Sequence, residues 1–440
     1  MDLKRKSKLN NFFASGNALS DGQQRIVNFF FAATVVGVMT AMLGIILYYV
    51  YAFASLSNGS HAFDWLLGIF SDFVTIMDAS LMDSPYVIGG ASYPPFAIAI
   101  LYPFALICKN VFDVYAGQGL TVDELTSKVV LTPQFWIAIV LFFVICTSLI
   151  IFAIVKIFRL NLKNSIKIGS IIIFSAPFVY AIMRGNTIYF ALIFLLFFML
   201  LKNSSNAVLR EIAYICLAFA GLIKIYPLFF GVFLLRDKKI FASIRVACYF
   251  CVGTFLSFFI YSAGLSDFSY FMKNLGSFAT DSHHLLSGTN LSLTSILYKL
   301  FEFISPSSGN SSFFSVLNIS ILIVIFLFSS VLAIVTRSSL SRSVIASAVL
   351  ILIPSVSYFY VLIFEIIPFM QFIKDYDTID KKKRNLYSAL FLFLLFTLTI
   401  LPGYFIVHSL AVFAMFAIEC HSVISKEIVP YFTRSKEKRL

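Results

Sequence analysis

The sequence predicts an all-α polytopic membrane protein. Of its 440 residues, 60% are hydrophobic and only 12% are charged, and the mean hydropathy is +0.93. A soluble globular chain is about half apolar and about a quarter charged, so a soluble core would not hide this much apolar surface. Several apolar runs are also long enough to cross a bilayer, which takes about 20 residues. These observations exclude a soluble enzyme, a disordered chain and an ordinary nucleic-acid-binding protein.

The amino-terminal part of the chain indicates the first crossing and its direction. The segment MDLKRKSKLNN carries four basic residues, which the positive-inside rule assigns to the cytoplasm. Residues 27–53 form the first predicted span and lead outward. The segment 54–132 is too polar for two ordinary spans, and its apolar piece 93–108 is only about half a bilayer long. We expect that piece to lie at the outer face or to dip into it.

Basic residues set the direction of the middle spans. Residues 133–155 form a clear span, and the following stretch carries four basic residues, Lys156, Arg159, Lys163 and Lys167. By the same rule this stretch is cytoplasmic, which works only if 93–108 does not cross. Residues 168–183 and 187–201 are then expected to lead out and back.

The segment 211–235 has basic residues at both ends, with Lys224 and Pro227 in its middle. One straight span would place the two basic ends on opposite faces of the membrane. Two short helices with a break near Lys224 to Pro227 fit better. Residues 343–372 and 386–421 show the same arrangement.

The remaining segments complete a bundle of about 12 transmembrane elements. Residues 240–262 lead outward, residues 263–312 form a second polar outer segment, and the next apolar run returns. The sequence therefore predicts a single membrane domain over residues 27–425. A basic cytoplasmic N-terminus (1–26) precedes this domain, and a basic cytoplasmic tail (426–440) follows it.

Polar residues with catalytic potential gather in the two outer segments and at two breaks between helices. They are Asp72, Asp78, Arg184, Lys224, His283 and His284. A carboxylate can act as general base, and Lys, Arg and His can neutralise charge that grows on phosphate oxygens. The set therefore suits a reaction in which a hydroxyl is deprotonated while a phosphate leaves.

Four short segments with a characteristic order carry a family resemblance. They are Asp72 with Tyr93-Pro94-Pro95, Arg184-Gly185-Asn186, Lys224-Ile225-Tyr226-Pro227 and Asn290-Leu291-Ser292-Leu293. Together they resemble the GT-C glycosyltransferases that use polyprenyl-phosphate sugars, most closely glycosyltransferase family 87, the bacterial mannosyltransferase-like group. A weaker fifth match runs from Pro354 to Tyr360, where the family often has a histidine and this chain has none.

The resemblance implies a GT-C-like bundle with juxtamembrane helices in the long first outer loop. It implies a polyprenyl-phosphate-linked sugar as donor, bound from within the membrane lipid, and a glycan or glycolipid as acceptor. Asp72 would be the general base of an inverting transfer. The implied ligands of the donor phosphate are Arg184, Lys224 and one of His283 and His284. Further candidates for substrate contact are Asp78, Tyr93, Asn186, Asn290 and Tyr358.

The same resemblance bears on cofactors, sugar and location. No cofactor is expected, although some GT-C relatives use a divalent metal, and no nucleic-acid partner is expected. The sugar is a hexose, with mannose favoured, or a pentose; no residue decides the acceptor or the oligomeric state. The expected location is the bacterial inner (cytoplasmic) membrane, with the site facing outward and both termini in the cytoplasm.

Each site residue also has a purely structural alternative. Asp72 would suit the cap of the helix that follows it, and Arg184 would suit an anchor at the membrane interface. The two histidines would suit a solvated loop. Lys224 is different, because a lysine within an apolar hairpin is costly unless it has a partner or faces a cavity.

Two other functions fit the same pattern of broken helices and polar residues. One is a flippase or transporter of lipid-linked glycans, since broken helices and intramembrane charges are common in transporters. The other is a polymerase or ligase of such glycans. The charges cluster towards the outer side, which favours surface chemistry over transport. Arg184 is the only arginine there, which speaks against a polymerase or ligase.

Overall fold

The structure is a computed structural model that describes residues 19–54, 69–87, 90–304, 312–396 and 404–431. The predicted basic N-terminus up to residue 18, residues 55–68 of the first outer segment and the tail from residue 432 lie outside the described residues. The described part is helical. Its one β-type pairing is an isolated antiparallel bridge between Asn290 and Tyr358.

The first half of the chain forms ten helices in the described residues. They are α1 (Asp21–Ala54), α2 (Ser71–Leu81), α3 (Pro95–Ala99), α4 (Tyr102–Tyr115), α5 (Val122–Val130), α6 (Pro133–Phe158), α7 (Leu162–Ile173), α8 (Ala176–Arg184), α9 (Ile188–Leu201) and α10 (Ala207–Ile223). Helices α2 to α5 lie within the predicted first outer segment and are too short to span a bilayer.

The second half forms ten further helices, again counted over the residues that the structure describes. They are α11 (Val232–Arg236), α12 (Ile240–Phe258), α13 (Asp267–Thr280), α14 (Ser282–Leu286), α15 (Leu293–Ile304), α16 (Ser312–Val335), α17 (Ser339–Leu352), α18 (Ile366–Asp375), α19 (Lys381–Leu395) and α20 (Tyr404–Val423). The second predicted outer segment therefore consists largely of α13 to α15.

In the part of the chain that the structure describes, five helical stretches are long and apolar enough to cross a membrane. They are Asp21–Leu43, Pro133–Phe158, Ile240–Phe258, Val316–Val335 and Val407–Tyr431. Helices α7 and α8 would add a sixth crossing as one span, but they bend by 59° where the sequence suggested a single run. These helices confirm the all-α polytopic membrane fold. The count of about 12 transmembrane elements stays a prediction.

Helix α6 shows how such a span divides its surface. Phe135, Phe142 and Ile150 are buried on one side, whereas Val140 and Val144 are exposed on the other. A helix that is apolar on all sides has no face for water. Its exposed side therefore suits contact with lipid, and its buried side holds the bundle together.

Helix α17 forms the centre of the second half, since residues 340–352 are all buried. A buried carboxylate of α20, Glu419, accepts hydrogen bonds from Ser341 Oγ at 2.7 Å and from the hydroxyl of Tyr387, and its Oε1 lies 2.7 Å from Lys383 Nζ. A buried charge is stable only when it is paired and hydrogen-bonded. This network therefore fixes α17, α19 and α20 to one another.

Two of the three helix breaks that the sequence predicts in apolar segments are present in the described residues. The third, within 386–421, falls on residues 397–403, which lie outside the described residues. Helix α10 ends at Ile223, Lys224 is extended with φ −144°, and a 3₁₀ turn follows at Tyr226–Gly231. Helix α17 ends at Leu352, and a 3₁₀ turn follows at Phe359–Glu365. Irregular backbone at membrane depth is tolerated where it is buried in protein or lines a cavity.

The two predicted outer segments lie together. Ser84 Oγ, after α2, donates to Asp267 Oδ1 at the start of α13 over 2.7 Å. Asn274 Nδ2, further along α13, donates to the carbonyl oxygens of Tyr86 and Ala91 at 2.9 and 3.2 Å. Segments far apart in the chain therefore form one polar layer at one end of the bundle.

Candidate active site

Asp72 lies in the first turn of α2 but does not cap it. The N-cap is Phe70, whose backbone is left-handed with φ 67° and whose N–H donates to the Met183 carbonyl at 2.6 Å. The Asp72 carboxylate instead accepts hydrogen bonds from the Arg184 guanidinium, with which it forms an ion pair, and from Asn186 Nδ2 at 2.7 Å. The side chain thus belongs to a polar cluster.

The turn after α8 presents both partners of Asp72. Gly185 closes the helix in the left-handed conformation, with φ 61°. Asn186 is fully buried: its Nδ2 also lies 3.3 Å from the Tyr93 hydroxyl, and its Oδ1 accepts the Ile188 N–H at 3.0 Å. The amide is therefore held at both ends, which fixes the orientation of the Asp72 carboxylate.

Replacement of Gly185 by Ala should destabilise the protein. The positive φ disfavours any side chain, and an added Cβ would overlap with Cβ of Phe73 in α2. We expect a loss of about 1–3 kcal/mol in the free energy of unfolding, measured as a lower midpoint of thermal unfolding in detergent. Gly276→Ala is the matched control, because an added Cβ there meets no atom within 4 Å. An equal loss in both variants would contradict this explanation.

Lys224 lies at the break after α10, close to the same cluster. Its Nζ is 4.2 Å from the centre of the Tyr93 ring, a cation–π distance, and it is attracted electrostatically by Asp72. Within the described residues no carboxylate lies within 4.0 Å of this ammonium. The Lys224 ammonium can therefore bind a further anion close to the Asp72 carboxylate.

A cavity of about 240 Å³ opens beside Lys224 and Tyr93. Helix α13 and the segment that follows α17 supply most of its wall, and the break after α10 supplies part of the rest. The wall is largely apolar and includes Ile225, Tyr226, Phe271, Leu275, Phe278 and Val356. A cation next to an apolar cavity suits a ligand that joins a phosphate to a hydrocarbon chain.

The two histidines occupy different environments. His284 Nδ1 lies 2.6 Å from the Tyr358 hydroxyl, and its Nε2 lies 3.8 Å from Asp281 Oδ2. Burial lowers the pKa of His284, while Asp281 partly opposes this shift, so the neutral imidazole is favoured near neutral pH. His283 is exposed, and its backbone N–H donates to Asp281 Oδ1 at 2.9 Å. The structure therefore brings His284, and not His283, towards the cluster.

Two tyrosines extend the cluster beyond the residues chosen from the sequence. Tyr180 lies one helical turn before Arg184 on α8, and its hydroxyl lies within electrostatic reach of Arg184 and Asp72. Tyr360 is buried and lies within electrostatic reach of Asp72 and Arg184. The spacing of four residues between Tyr180 and Arg184 was the available signal, because it places both side chains on one helix face.

Asn290 connects the second outer segment to the break after α17. Its Nδ2 donates to the carbonyl oxygens of His284 and Ser355 at 3.1 and 3.2 Å. Its Oδ1 accepts the N–H groups of Ser292 and Ser357 at 3.1 and 2.9 Å. These four bonds use both amide hydrogens and both oxygen lone pairs. The geometry favours support of the loop over contact with substrate.

Replacement of Asn290 by Ala should loosen this connection. Buried backbone groups would lose their partners, and each unsatisfied group costs about 1–3 kcal/mol. We expect a lower unfolding midpoint and faster proteolysis between α14 and α15. Asn28→Ala serves as control, since Asn28 is exposed on α1. Unchanged proteolysis in the Asn290 variant would disagree with the proposed support.

Asp78 lies outside the cluster. It follows Asp72 by six residues, which on a helix of 3.6 residues per turn places it about 120° away around the axis. Burial raises the pKa of Asp78. Among the described residues it makes no hydrogen bond or ion pair with Arg184, Asn186 or Tyr93.

Within the described residues, no group of three or more His, Cys, Asp or Glu side chains is placed to hold a metal ion. The cluster is instead one carboxylate, two cations and several tyrosines. That no cofactor is needed stays a prediction.

Comparison with known proteins places the chain in a family. The model of glycosyltransferase family 87 matches residues 92–359, more than half of the chain. The matched range includes Arg184, Asn186 and Lys224, whereas Asp72 precedes it and is tied to the site by its bonds to the first two. No curated protein matches the sequence. The chain belongs to glycosyltransferase family 87 and is a membrane glycosyltransferase.

Proposed function

We propose that this glycosyltransferase moves a sugar from a polyprenyl-phosphate donor to a lipid-linked or cell-envelope glycan, with inversion of the anomeric carbon. The observation that supports this most directly is that Tyr93 connects the Asp72 cluster to Lys224 beside a largely apolar cavity. The Tyr93 hydroxyl lies 3.3 Å from Asn186 Nδ2, which bonds Asp72, and Lys224 Nζ lies 4.2 Å from the centre of the Tyr93 ring. A base and a phosphate-binding cation are then adjacent, and the cavity has room for the start of a prenyl chain.

Asp72 is the proposed general base. The acceptor oxygen forms a bond to the anomeric carbon while its proton passes to the Asp72 carboxylate. The bond between the anomeric carbon and the phosphate oxygen breaks, and polyprenyl phosphate leaves with the electron pair. Arg184 and Asn186 each engage one carboxylate oxygen, and the remaining lone pairs are available to the acceptor hydroxyl.

Lys224 and Arg184 are the proposed ligands of the donor phosphate. Negative charge grows on the phosphate oxygens as the sugar departs, and fixed cations stabilise it most in a site that excludes water. His284, hydrogen-bonded to Tyr358, is a third ligand at the side of the second outer segment. His283 is exposed, so its position supports a role in phosphate binding less well than that of His284.

The sugar, the membrane and the metal requirement are further parts of the proposal. A hexose, with mannose favoured, follows from the likeness to mannosyltransferase-like members of the family, and a pentose remains an alternative. We place the protein in the bacterial inner membrane, with the Asp72 cluster outward and both termini in the cytoplasm. No divalent metal is required, so a chelator should leave the rate unchanged.

The test is a transfer assay with protein in liposomes and labelled polyprenyl-phosphate mannose, glucose or pentose. We expect label to enter a lipid or glycan acceptor while an equal amount of polyprenyl phosphate appears. Transfer from a nucleotide sugar without the prenyl donor would overturn the proposal. Movement of a lipid-linked glycan across the bilayer without a new glycosidic bond would instead favour a flippase.

A further inference from the structure

A second cavity, of about 680 Å³, lies at the far end of helix α9 from the Asp72 cluster. Helix α9 begins just after Asn186 and ends just before Lys202, and its 14 residues span about 21 Å. Lys202 lines this second cavity, which we call the basic cavity. The basic cavity and the candidate active site are therefore separate.

The charge of the basic cavity is strongly one-sided. One acidic residue, Asp237, lines it together with five basic residues, Lys156, Arg159, Lys202, Arg342 and Lys374. The positive-inside rule explains basic residues at this end of the bundle, but it requires only that they stay in water. The rule does not explain why two of these five basic side chains are buried.

Lys202 is one of these buried cations, with only 7% of its surface exposed. Its nearest acidic group is Asp237, whose Oδ2 lies 3.5 Å from Nζ, and the Phe233 ring centre lies 5.3 Å away. A carboxylate that is itself partly exposed is modest compensation for a buried ammonium. An anion bound in the basic cavity would therefore stabilise the buried charge of Lys202 further.

Arg342 is the other buried cation, 8% exposed, and its guanidinium carbon lies 5.4 Å from the centre of the same Phe233 ring. Its Nε donates to the Ala333 carbonyl at 3.2 Å, and its Nη2 donates to the Thr336 carbonyl at 2.8 Å. These bonds hold the guanidinium rigidly. Within the described residues Nη1 donates to no protein group, so it can serve a ligand.

The rest of the lining is suited to an amphiphile. Apolar side chains complete the wall, among them Leu196, Met199, Ile366 and Met370. A neighbouring cavity of about 410 Å³ shares Arg159 and Lys374 with the basic cavity and adds further apolar surface. The cations would bind an anionic headgroup, and the apolar surface would bind the first part of its chains.

We propose that the basic cavity binds the phosphate headgroup of a lipid, at a site distinct from the sugar-transfer site. Phosphate offers several acceptor oxygens to cations arranged around it, which matches the buried Lys202 and Arg342 and the exposed Arg159 and Lys374 at the rim. This proposal does not depend on the identity of the sugar donor.

The test measures lipid retained by the full-length protein in phosphatidylcholine nanodiscs with and without phosphatidic acid, by native mass spectrometry. The test variant is Arg159→Asn with Lys374→Gln: both residues are exposed, and Asn tolerates the left-handed backbone of Arg159, φ 51°. The control is Lys163→Gln with Lys382→Gln, which removes two exposed charges outside the lining.

We expect the test variant to retain phosphatidic acid about tenfold more weakly than the unmodified protein, while the control retains it normally. A second arm uses inorganic phosphate in pure phosphatidylcholine nanodiscs. The opposite outcome is that inorganic phosphate stabilises the protein against heat while phosphatidic acid is not retained. That result would contradict a lipid ligand and would identify free phosphate as the ligand of the basic cavity. Equal weakening in test variant and control would overturn the site altogether.

Discussion

The Asp72→Asn variant should lose sugar transfer almost entirely, with kcat reduced about 10²–10⁴-fold, the usual contribution of a general base. The substitution keeps the size of the side chain but removes its ability to take a proton. It also ends the ion pair with Arg184 while leaving Asn186 in place. We would measure initial rates at saturating donor and acceptor, and donor binding separately, because the side chains proposed to bind the phosphate are all retained.

The control for Asp72 is Asp113→Asn. Asp113 also lies in the predicted first outer segment, where it is exposed and paired with Lys109 at 2.8 Å. It should keep full activity. Full activity in Asp72→Asn would remove the proposed base, and loss of activity in Asp78→Asn alone would transfer the role to that carboxylate.

The helix breaks were predictable because their causes are local. A lysine and a proline inside an apolar run, at Lys224 and Pro227, disfavour a continuous span wherever they occur. The 59° bend between α7 and α8 was missed, although Pro177 stands in the first turn of α8. The apolar run around it is continuous, and hydropathy alone does not show a bend.

The number of membrane crossings is hard to predict from the sequence, because it depends on how short helices pack. Helices such as α8, α11 and α18 are too short to cross alone, and packing decides whether they pair into a span or stay near one face. Basic residues at the segment ends suggest about 12 elements. The five long apolar helices and the one bent pair are what length and composition support.

The identities of the candidate active-site residues were easier to predict than the contacts between them. Short motifs marked Asp72, Arg184 and Lys224, and their shared predicted face suggested that they meet. No local pattern tells that Asn186 bonds Asp72, or that the Tyr93 ring lies below Lys224, because both contacts join segments far apart in the chain.

The Lys224→Gln variant should lower kcat/KM for the donor by about 10²-fold, as expected when one charged group that stabilises a leaving phosphate is removed. Lys224 lines the apolar cavity, and its Nζ lies 4.2 Å from the centre of the Tyr93 ring, so we expect it to meet the phosphate and not the acceptor. The KM for the acceptor should stay unchanged. Steady-state kinetics with each substrate varied in turn separate the two effects.

Lys128→Gln is a matched control for Lys224→Gln, because Lys128 also places its Nζ over a tyrosine ring, 5.0 Å from the centre of Tyr115. Both variants remove a lysine charge and a cation–π contact, but only one does so beside Asp72. Lys128→Gln should therefore behave like the unmodified protein. If Lys224→Gln raised the acceptor KM and left the donor KM unchanged, Lys224 would not belong to the phosphate site.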